Sequence, residues 1–284
     1  SLDIQNLVRF VRESKEKYPT LSLTVRAAGT CMSGGPLNES IIVDITRYMN
    51  SLISISKDSK RAVVQPGMFY RDFEKETLAL GLILPSYTAS KSLNTVGGMV
   101  GNNSAGEITL RHGATRNYVK SLRVVFADGY EYEVRPLTKK ELYQKVAEPT
   151  FEGQVYKQIV ELIKSNYEEI KKAKPAVSKN SAGYALWDVW NLDNPDDDNE
   201  RFDLAQLIVG SQGTLGIVTE ITFSLVEVPT SRELLVLFLD DLQYLGDIVD
   251  ELLTFKPESL ESYDDKTFKL AMQFFGDFVK TKGI

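Results

Sequence analysis

Glycine is concentrated in three short stretches of the chain. Ten of its 19 glycines fall within residues 26–35 (RAAGTCMSGG), 97–106 (GGMVGNNSAG) and 210–216 (GSQGTLG). Glycine permits left-handed backbone and lets the main chain approach a ligand closely. Each stretch also carries Ser, Thr or Asn, and the first has no charge beyond Arg26. Any one of them alone could be an ordinary tight loop, but three together indicate a long, polar, phosphate-bearing ligand that lies against backbone.

Two common phosphate-binding motifs are absent from the sequence. Neither G-x-G-x-x-G, typical of Rossmann dinucleotide sites, nor G-x-x-x-x-G-K-[ST], typical of nucleoside triphosphate loops, occurs. The ligand is therefore expected to be held in another way, by backbone N–H groups that converge on its negative charge rather than by a lysine.

Charge and cysteine content exclude several classes of function. The chain has 33 basic and 39 acidic residues, a net charge of −6, which disfavours a nucleic-acid partner. Cys31 is the only cysteine and His112 the only histidine, so neither a disulfide framework nor a Cys/His metal site is expected. The acidic run at 193–200 lacks EF-hand spacing and is interpreted as a surface loop, with calcium binding as the alternative. We predict no metal site.

The pattern of apolar residues predicts a mixed α and β chain without a membrane-spanning segment. No apolar run reaches 18 residues, and the amphipathic, charged start is unlike a signal peptide, so a cytoplasmic location is expected, with peripheral membrane association left open. Helices are predicted from a cap at Ser1 and at 69–80, 152–171 and 241–255. Strands are predicted at 21–25, 41–45, 61–65, 122–127, 130–134, 217–226 and 232–241.

Four segments, taken in order, resemble one family. They are RAAGTCMSGG, PSYTASKSLNTVGGMVGNNSAG (85–106), RHGATRNYVKSLRVVFADG (111–129) and LIVGSQGTLGIVTEITF (207–223). Together they are similar to the PCMH-type FAD-binding domain of the vanillyl-alcohol oxidase superfamily, in the FAD-linked dehydrogenases and oxidases of D-2-hydroxy acids such as D-lactate, glycolate and D-2-hydroxyglutarate. The resemblance covers about residues 20–228.

That resemblance implies an α+β fold in two parts. Residues 1–228 would form a two-subdomain PCMH-type FAD-binding domain whose first strand is expected before Ser1. Residues 229–284 would be the incomplete beginning of a substrate-cap domain. Because the catalytic residues of such enzymes belong to later segments, they are expected beyond residue 284 and none is named here.

The resemblance also implies which residues contact FAD. The pyrophosphate would lie against backbone N–H groups of Ala28, Gly29, Thr30, Cys31, Met32, Ser33 and Gly34. The ribityl chain and isoalloxazine would run beside Pro85, Ala89, Ser90, Thr95, Gly97, Gly98, Asn102, Asn103, Ser104 and Gly106. The adenine and ribose would meet Gly213, Gly216, Ile217 and Val218. A weaker family element, KNSAGYALW (179–187), would approach the flavin through Asn180 and Tyr184.

Two single residues have competing interpretations. Some relatives attach flavin covalently through a histidine in the first glycine-rich loop, which this chain lacks, so FAD is expected to be non-covalent. His112 is interpreted as an ordinary loop residue, with a role near the flavin as the alternative. Cys31 is interpreted as a small side chain that suits a tight loop, with a redox thiol as the alternative.

The function implied is oxidation of a small D-2-hydroxy acid by hydride transfer to flavin N5, followed by reoxidation through an acceptor such as a quinone, a cytochrome or an iron–sulfur partner. Two alternatives stay open. One is a non-catalytic FAD-carrying electron-transfer subunit of a larger complex. The other is a flavin-dependent enzyme similar to alkylglycerone-phosphate synthase.

Overall fold

The computed structural model describes residues 1–282 apart from 178, 182 and 194–199, with side chains described to residue 275. The acidic run at 193–200 thus has its residues 194–199 outside the described part of the chain. Among the described helices, none combines the length and the apolar character that a membrane span requires.

Nine strands and ten α-helices make up the described fold. The strands are β1 (Leu23–Arg26), β2 (Ile41–Asp44), β3 (Leu52–Ser56), β4 (Arg61–Val64), β5 (Leu82–Ile83), β6 (Val119–Val125), β7 (Glu131–Val134), β8 (Ile217–Ser224) and β9 (Val226–Glu227). The helices are α1 (Leu2–Ser14), α2 (Tyr70–Leu78), α3 (Val96–Asn102), α4 (Thr109–His112), α5 (Lys139–Ala147), α6 (Phe151–Ser165), α7 (Tyr167–Ala173), α8 (Ala205–Ile208), α9 (Leu245–Thr254) and α10 (Asp265–Lys282).

A five-stranded antiparallel sheet, in the order β3-β4-β8-β6-β7, forms the centre of the fold. Two smaller sheets flank it: β1 and β2 pair in parallel, and β5 pairs antiparallel with β9. Burial alternates strictly along β8, because successive side chains of a strand point to opposite faces. The central strand of the main sheet is β8, which comes late in the chain.

Six of the seven predicted strands are present within a few residues of their expected bounds. The seventh, at 232–241, is wrong: this segment makes no strand pairing, and Leu234 and Phe238 are 88% and 86% exposed. An apolar run becomes a strand only where a neighbour pairs with its backbone, and no described strand lies beside this one. Periodicity missed β3, whose polar residues and bulge near Leu52 break the alternation of apolar and polar positions.

The helix predictions hold with one interruption. The helix expected at 152–171 is broken at Asn166, whose φ of −130° is not helical and whose side-chain Nδ2 donates to the carbonyl of Leu162. Ser1 occupies the N-cap position of α1, but its hydroxyl makes no capping hydrogen bond to the backbone. The missed α5 carries a capping box between Thr138 and Glu141, which is a signal that the sequence does contain.

One face of the main sheet packs against α2 in the largest hydrophobic core. Tyr70 and Phe73 on this helix are fully buried, and the ring of Phe73 lies 6.1 Å from that of Phe223 on β8. The hydroxyl of Tyr70 donates to the carbonyl of Leu84, 2.8 Å away, which satisfies the one polar atom of the ring. This packing fixes α2 and the loop after it relative to the central strand.

Replacing Phe73 by Ala is expected to lower the free energy of unfolding by about 3 to 5 kcal/mol, because the lost ring leaves a space that helix and sheet cannot close. Leu78→Ala, on the same helix at a 44% exposed position, is expected to cost about 0.5 kcal/mol or less. Urea denaturation of the two variants beside the parent chain gives both values. Similar losses in the two would contradict the assignment of Phe73 to the core.

Candidate functional site

The three glycine-rich stretches, distant in sequence, meet around one cavity of about 550 Å³. The cavity has three walls. They are the β1–β2 pair with the loop that connects these two strands, helix α3, and the turn that leads into β8. No residue that lines it carries a formal charge. The lining residues are Val25, Ala27, Ala28, Gly29, Thr30, Cys31, Met32, Ser33, Gly35, Pro36, Ile45, Pro66, Thr88, Ser90, Asn94, Thr95, Gly97, Gly98, Met99, Val100, Gly101, Asn102, Ser104, Ile208, Ser211, Gln212, Gly213, Gly216 and Val218.

The first wall is the loop at 27–36, which follows the carboxyl end of β1. Two of its glycines, Gly29 and Gly34, have left-handed φ angles of 71° and 77°. Within the described part of the chain, several of its backbone N–H groups find no acceptor. They are those of Ala28, Gly29, Thr30, Met32 and Gly34. A loop with this many free donors can satisfy the oxygens of a phosphate without a basic side chain.

Part of this loop already surrounds an acceptor. The thiol of Cys31 is exposed and lies 2.9 Å from the Ser33 hydroxyl. That contact, together with hydrogen bonds from the backbone N–H groups of Ser33 and Gly35, lowers the pKa of the Cys31 thiol. The local field of the loop therefore favours negative charge.

Helix α3 forms the second wall and is held by close backbone contact. The N–H of Gly97 donates to the carbonyl of Pro66 at 2.8 Å, and a Cβ on Gly97 would lie only 2.5 Å from that oxygen. The hydroxyl of Thr95 accepts from the N–H of Gly98 and caps the helix. No helix was predicted from the sequence here. Glycine is a poor helix former, and tertiary packing overrides that preference.

The third wall is tied directly to the second. The N–H of Gly210 donates to the carbonyl of Val100 at 2.9 Å, and the N–H of Gln212 donates to that of Gly101 at 2.8 Å. Gly210, Gln212 and Gly213 all have left-handed φ angles, so this turn is tightly coiled against the end of α3.

Fifteen of the 21 residues predicted to contact FAD line the cavity, which brings together most of the three predicted sets. The six that do not line it are Gly34, Pro85, Ala89, Asn103, Gly106 and Ile217. Contact of any of the 21 with FAD stays a prediction.

The fold explains why two of these residues, Ile217 and Gly106, lie off the cavity wall. Ile217 and Val218 are neighbours on β8, so only one can face the cavity, and Ile217 instead packs with Ile4 and Val125. A Cβ on Gly106 would overlap the carbonyl oxygen of Tyr87, so this glycine allows two backbone segments to touch.

Asn103 is a joint between segments rather than part of the cavity wall. It ends α3 in left-handed conformation with φ 46°, and its Oδ1 accepts from the N–H of Arg116 at 3.0 Å. Its Nδ2 donates to the carbonyl of Asn180 at 3.3 Å. The Arg116 guanidinium in turn donates to the carbonyl of Val209 at 2.9 Å and pairs with Asp188 at 3.3 Å. Burial lowers the pKa of Arg116, and Asp188 opposes that shift.

Asn180, Tyr184 and His112 lie around the site without lining its cavity. The Tyr184 hydroxyl contacts that of Thr214 at 2.8 Å, beside the third glycine-rich stretch. His112 Nε2 is 3.4 Å from Glu258 Oε1, so His112 joins the end of α4 to the segment after residue 228. His112 is thus the last residue of helix α4 and not a loop residue, and whether it has a role near the flavin stays untested.

Several lining residues escaped the sequence reasoning, chiefly Pro66, Asn94, Gly101, Ser211 and Gln212. Gly101, Ser211 and Gln212 lie inside the glycine-rich stretches, so the clustering itself was a signal for them. Pro66 lies in none of the three stretches, and its place on the wall follows only from its contact with Gly97.

Comparison with known families decides the cofactor. Residues 2–135 match a family described as FAD binding domain. This match covers just under half of the chain. It includes the first two walls of the cavity and β1 to β7, whereas the third wall and β8 lie outside it. FAD is the cofactor, as the sequence predicted.

Curated relatives extend the similarity over nearly the whole chain. D-2-hydroxyglutarate dehydrogenase of Pseudomonas putida is 28% identical over 274 residues, which cover 96% of this chain and 26% of that protein. Glycolate oxidase subunit GlcD of Bacillus subtilis is 27% identical, over 85% of this chain and 40% of that one. D-lactate dehydrogenase of Anaerostipes hadrus is 24% identical, over 99% and 46%. This chain thus spans between about a quarter and just under half of the length of these relatives.

Among solved structures, alkyldihydroxyacetonephosphate synthase matches with a TM-score of 0.50 and 18% identity, covering 81% of this chain and 33% of that one. At this identity the likeness concerns the fold alone. The fold class predicted from the sequence, an α+β FAD-binding fold of the PCMH type, is confirmed.

Gly29→Ala is expected to weaken FAD binding by roughly 5- to 100-fold, since a non-glycine residue at this φ costs on the order of 1–3 kcal/mol, and the new Cβ would lie 2.7 Å from the Arg26 guanidinium. Fluorescence titration with FAD measures the affinity. Gly81→Ala is the matched control, because Gly81 has a φ of 73°, has open space around it and lies off the cavity. An equal effect of the two substitutions would refute a local role for Gly29.

Proposed function

We propose that this chain is the FAD-binding part of an enzyme that oxidises a D-2-hydroxy acid, and that the cavity is where FAD binds. The proposal is supported above all by the relatives, since proteins named for D-2-hydroxyglutarate, glycolate and D-lactate each align with 85% or more of the chain. The exposed single cysteine fits a reducing, cytoplasmic location, which belongs to the same proposal.

The cavity suits FAD because its walls offer neutral polar groups and bare backbone. The free N–H groups of the 27–36 loop would hold the pyrophosphate, and the field that lowers the pKa of the Cys31 thiol has the sign that a diphosphate requires. Apolar side chains such as Val25, Ile45 and Ile208 would cover the rings and exclude water. Hydroxyls of Thr88, Ser90 and Thr95 would meet the sugar hydroxyls.

Bound FAD supplies, at flavin N5, the acceptor for the Cα hydrogen of the hydroxy acid, and a separate electron acceptor such as a quinone, cytochrome or iron–sulfur partner completes the turnover. The residues around the cavity position this cofactor. The described residues that line the cavity include no histidine, lysine or carboxylate, so we assign the general base to a part of the protein outside this cavity wall.

The domain boundary after residue 228 belongs to this proposal. The N–H of Val228 donates to the carbonyl of Gly81, next to the β5–β9 pair. Among the described residues after 228, Glu258 forms an ion pair with His112 of the FAD binding part and another with Arg232 of its own segment. Many apolar side chains between 234 and 275 are exposed, as expected of the start of a separate substrate-binding unit.

The substrate class is tested on the complete protein that contains this chain. Under anaerobic conditions, one of D-2-hydroxyglutarate, D-lactate or glycolate is expected to bleach the visible flavin absorption band within seconds. L-2-hydroxy acids, and D-acids with an FAD-free preparation, serve as controls. Failure of every D- and L-2-hydroxy acid to bleach the flavin would reject the proposed reaction, and would leave a carrier role or a non-redox flavin role in its place.

Acid precipitation of the FAD-loaded protein is expected to release all yellow colour into the supernatant, because no histidine lies in the first loop to form a covalent bond with the flavin. Absorption spectra of pellet and supernatant give the distribution. Flavin that stays in the pellet would overturn non-covalent attachment, and the variants Cys31→Ser and His112→Ala would then show which side chain holds it.

A further inference from the structure

Asn94 has a side-chain oxygen that nothing in the described structure satisfies. The residue lies on the cavity wall immediately before Thr95, the cap of α3, and is only 5% exposed. Its Oδ1 is buried and has no hydrogen-bond partner. A buried acceptor without a donor costs roughly 1–3 kcal/mol of folding free energy. Such an acceptor therefore needs an explanation, for example a hydrogen bond that it forms when a ligand is bound.

The rest of Asn94 is firmly held. Its Nδ2 donates to the hydroxyl of Thr88 at 2.9 Å, and that hydroxyl contacts Ser90 Oγ at 2.9 Å. Its backbone carbonyl accepts from the N–H of Tyr70 and its own N–H donates to the carbonyl of Ser90, both at 3.0 Å. The amide is thus fixed at one end and unpaired at the other, just beneath the cavity surface.

We propose that Asn94 Oδ1 accepts a hydrogen bond from an O–H or N–H group of bound FAD. This rests on the proposed location of FAD in the cavity. The oxygen is covered in the geometry described, so the donor reaches it when the amide turns about its Cβ–Cγ bond toward the cavity. This turn releases Nδ2 from the Thr88 hydroxyl, which keeps its contact with Ser90 Oγ. FAD carries such donors on both halves, as hydroxyls of ribityl and ribose and as N–H groups of the two ring systems. The phosphates carry none, so this contact is separate from the one at the 27–36 loop.

Two variants separate the inference from a merely structural role. Asn94→Leu keeps the approximate shape of the side chain. It removes the unpaired oxygen, which favours the folded state, and the Nδ2 bond to Thr88, which opposes that gain, so the FAD-free protein is expected to unfold at about the same urea concentration as the parent. Its affinity for FAD is expected to fall roughly 3- to 10-fold, the value of one hydrogen bond. A residue that only supported the fold would lower the urea midpoint instead.

Asn94→Asp tests the direction of the bond. It keeps an acceptor at the same place, so the hydrogen bond to FAD is retained and the affinity is expected to stay within about threefold of the parent and closer to it than that of Asn94→Leu. Asn6→Leu, at an exposed position on α1, is the control for loss of an asparagine and is expected to change neither readout.

Affinities for FAD, FMN and ADP are measured by titration calorimetry on all four proteins. A loss with Asn94→Leu for FAD and FMN but not ADP assigns the donor to the flavin half, and a loss for FAD and ADP but not FMN assigns it to the adenosine half. Unchanged FAD affinity of Asn94→Leu, or a greater loss with Asp than with Leu, would overturn the inference. If the parent protein and Gly29→Ala bind FAD equally, the proposed location of FAD itself fails, which is a different result.

Discussion

The site depends on backbone touching backbone at places where no side chain fits. Gly97 is pressed against the carbonyl of Pro66, Gly106 against that of Tyr87, and Gly67 against that of Ile45. Each contact joins a cavity segment to its neighbour at a distance that even a methyl group would prevent. These glycines allow close backbone contact between the walls. The glycines with left-handed φ in the 27–36 and 210–213 turns instead allow the chain to turn sharply.

A second layer of polar contacts keeps the walls in register. The N–H groups of Gly210 and Gln212 bind the carbonyl end of α3, and the Asn103–Arg116 pair connects the same helix end to Val209 and Asn180. The charged side chain in these bonds, that of Arg116, does not line the cavity. The cavity can therefore remain uncharged while the structure around it is fixed by partly buried hydrogen bonds.

The sequence was most informative where a pattern has one physical cause. Alternation of apolar residues located β6 and β8, and glycine clustering located all three walls, although propensity alone could not show that residues 96–102 are helical. Resemblance to a family assigned residues such as Ile217 and Gly106 to the ligand. Neither lines the cavity, because Ile217 packs with Ile4 and Val125 and Gly106 touches the carbonyl of Tyr87, and their contact with FAD stays a prediction. Asn94 could not be foreseen, because an unsatisfied oxygen is a property of three-dimensional packing and leaves no mark on the sequence.

The position of β8 in the centre of the main sheet has a consequence for synthesis of the chain. β4 and β6 do not pair with each other, since β8 lies between them, and the registers Val64 with Ile221 and Leu122 with Ile221 each link residues about 100 or more positions apart. Contacts of such long range form slowly, and none of them can form until the late strand has left the ribosome. The segment that matches the FAD binding family therefore leaves the ribosome before the central strand of its sheet, which begins about 80 positions after that match ends.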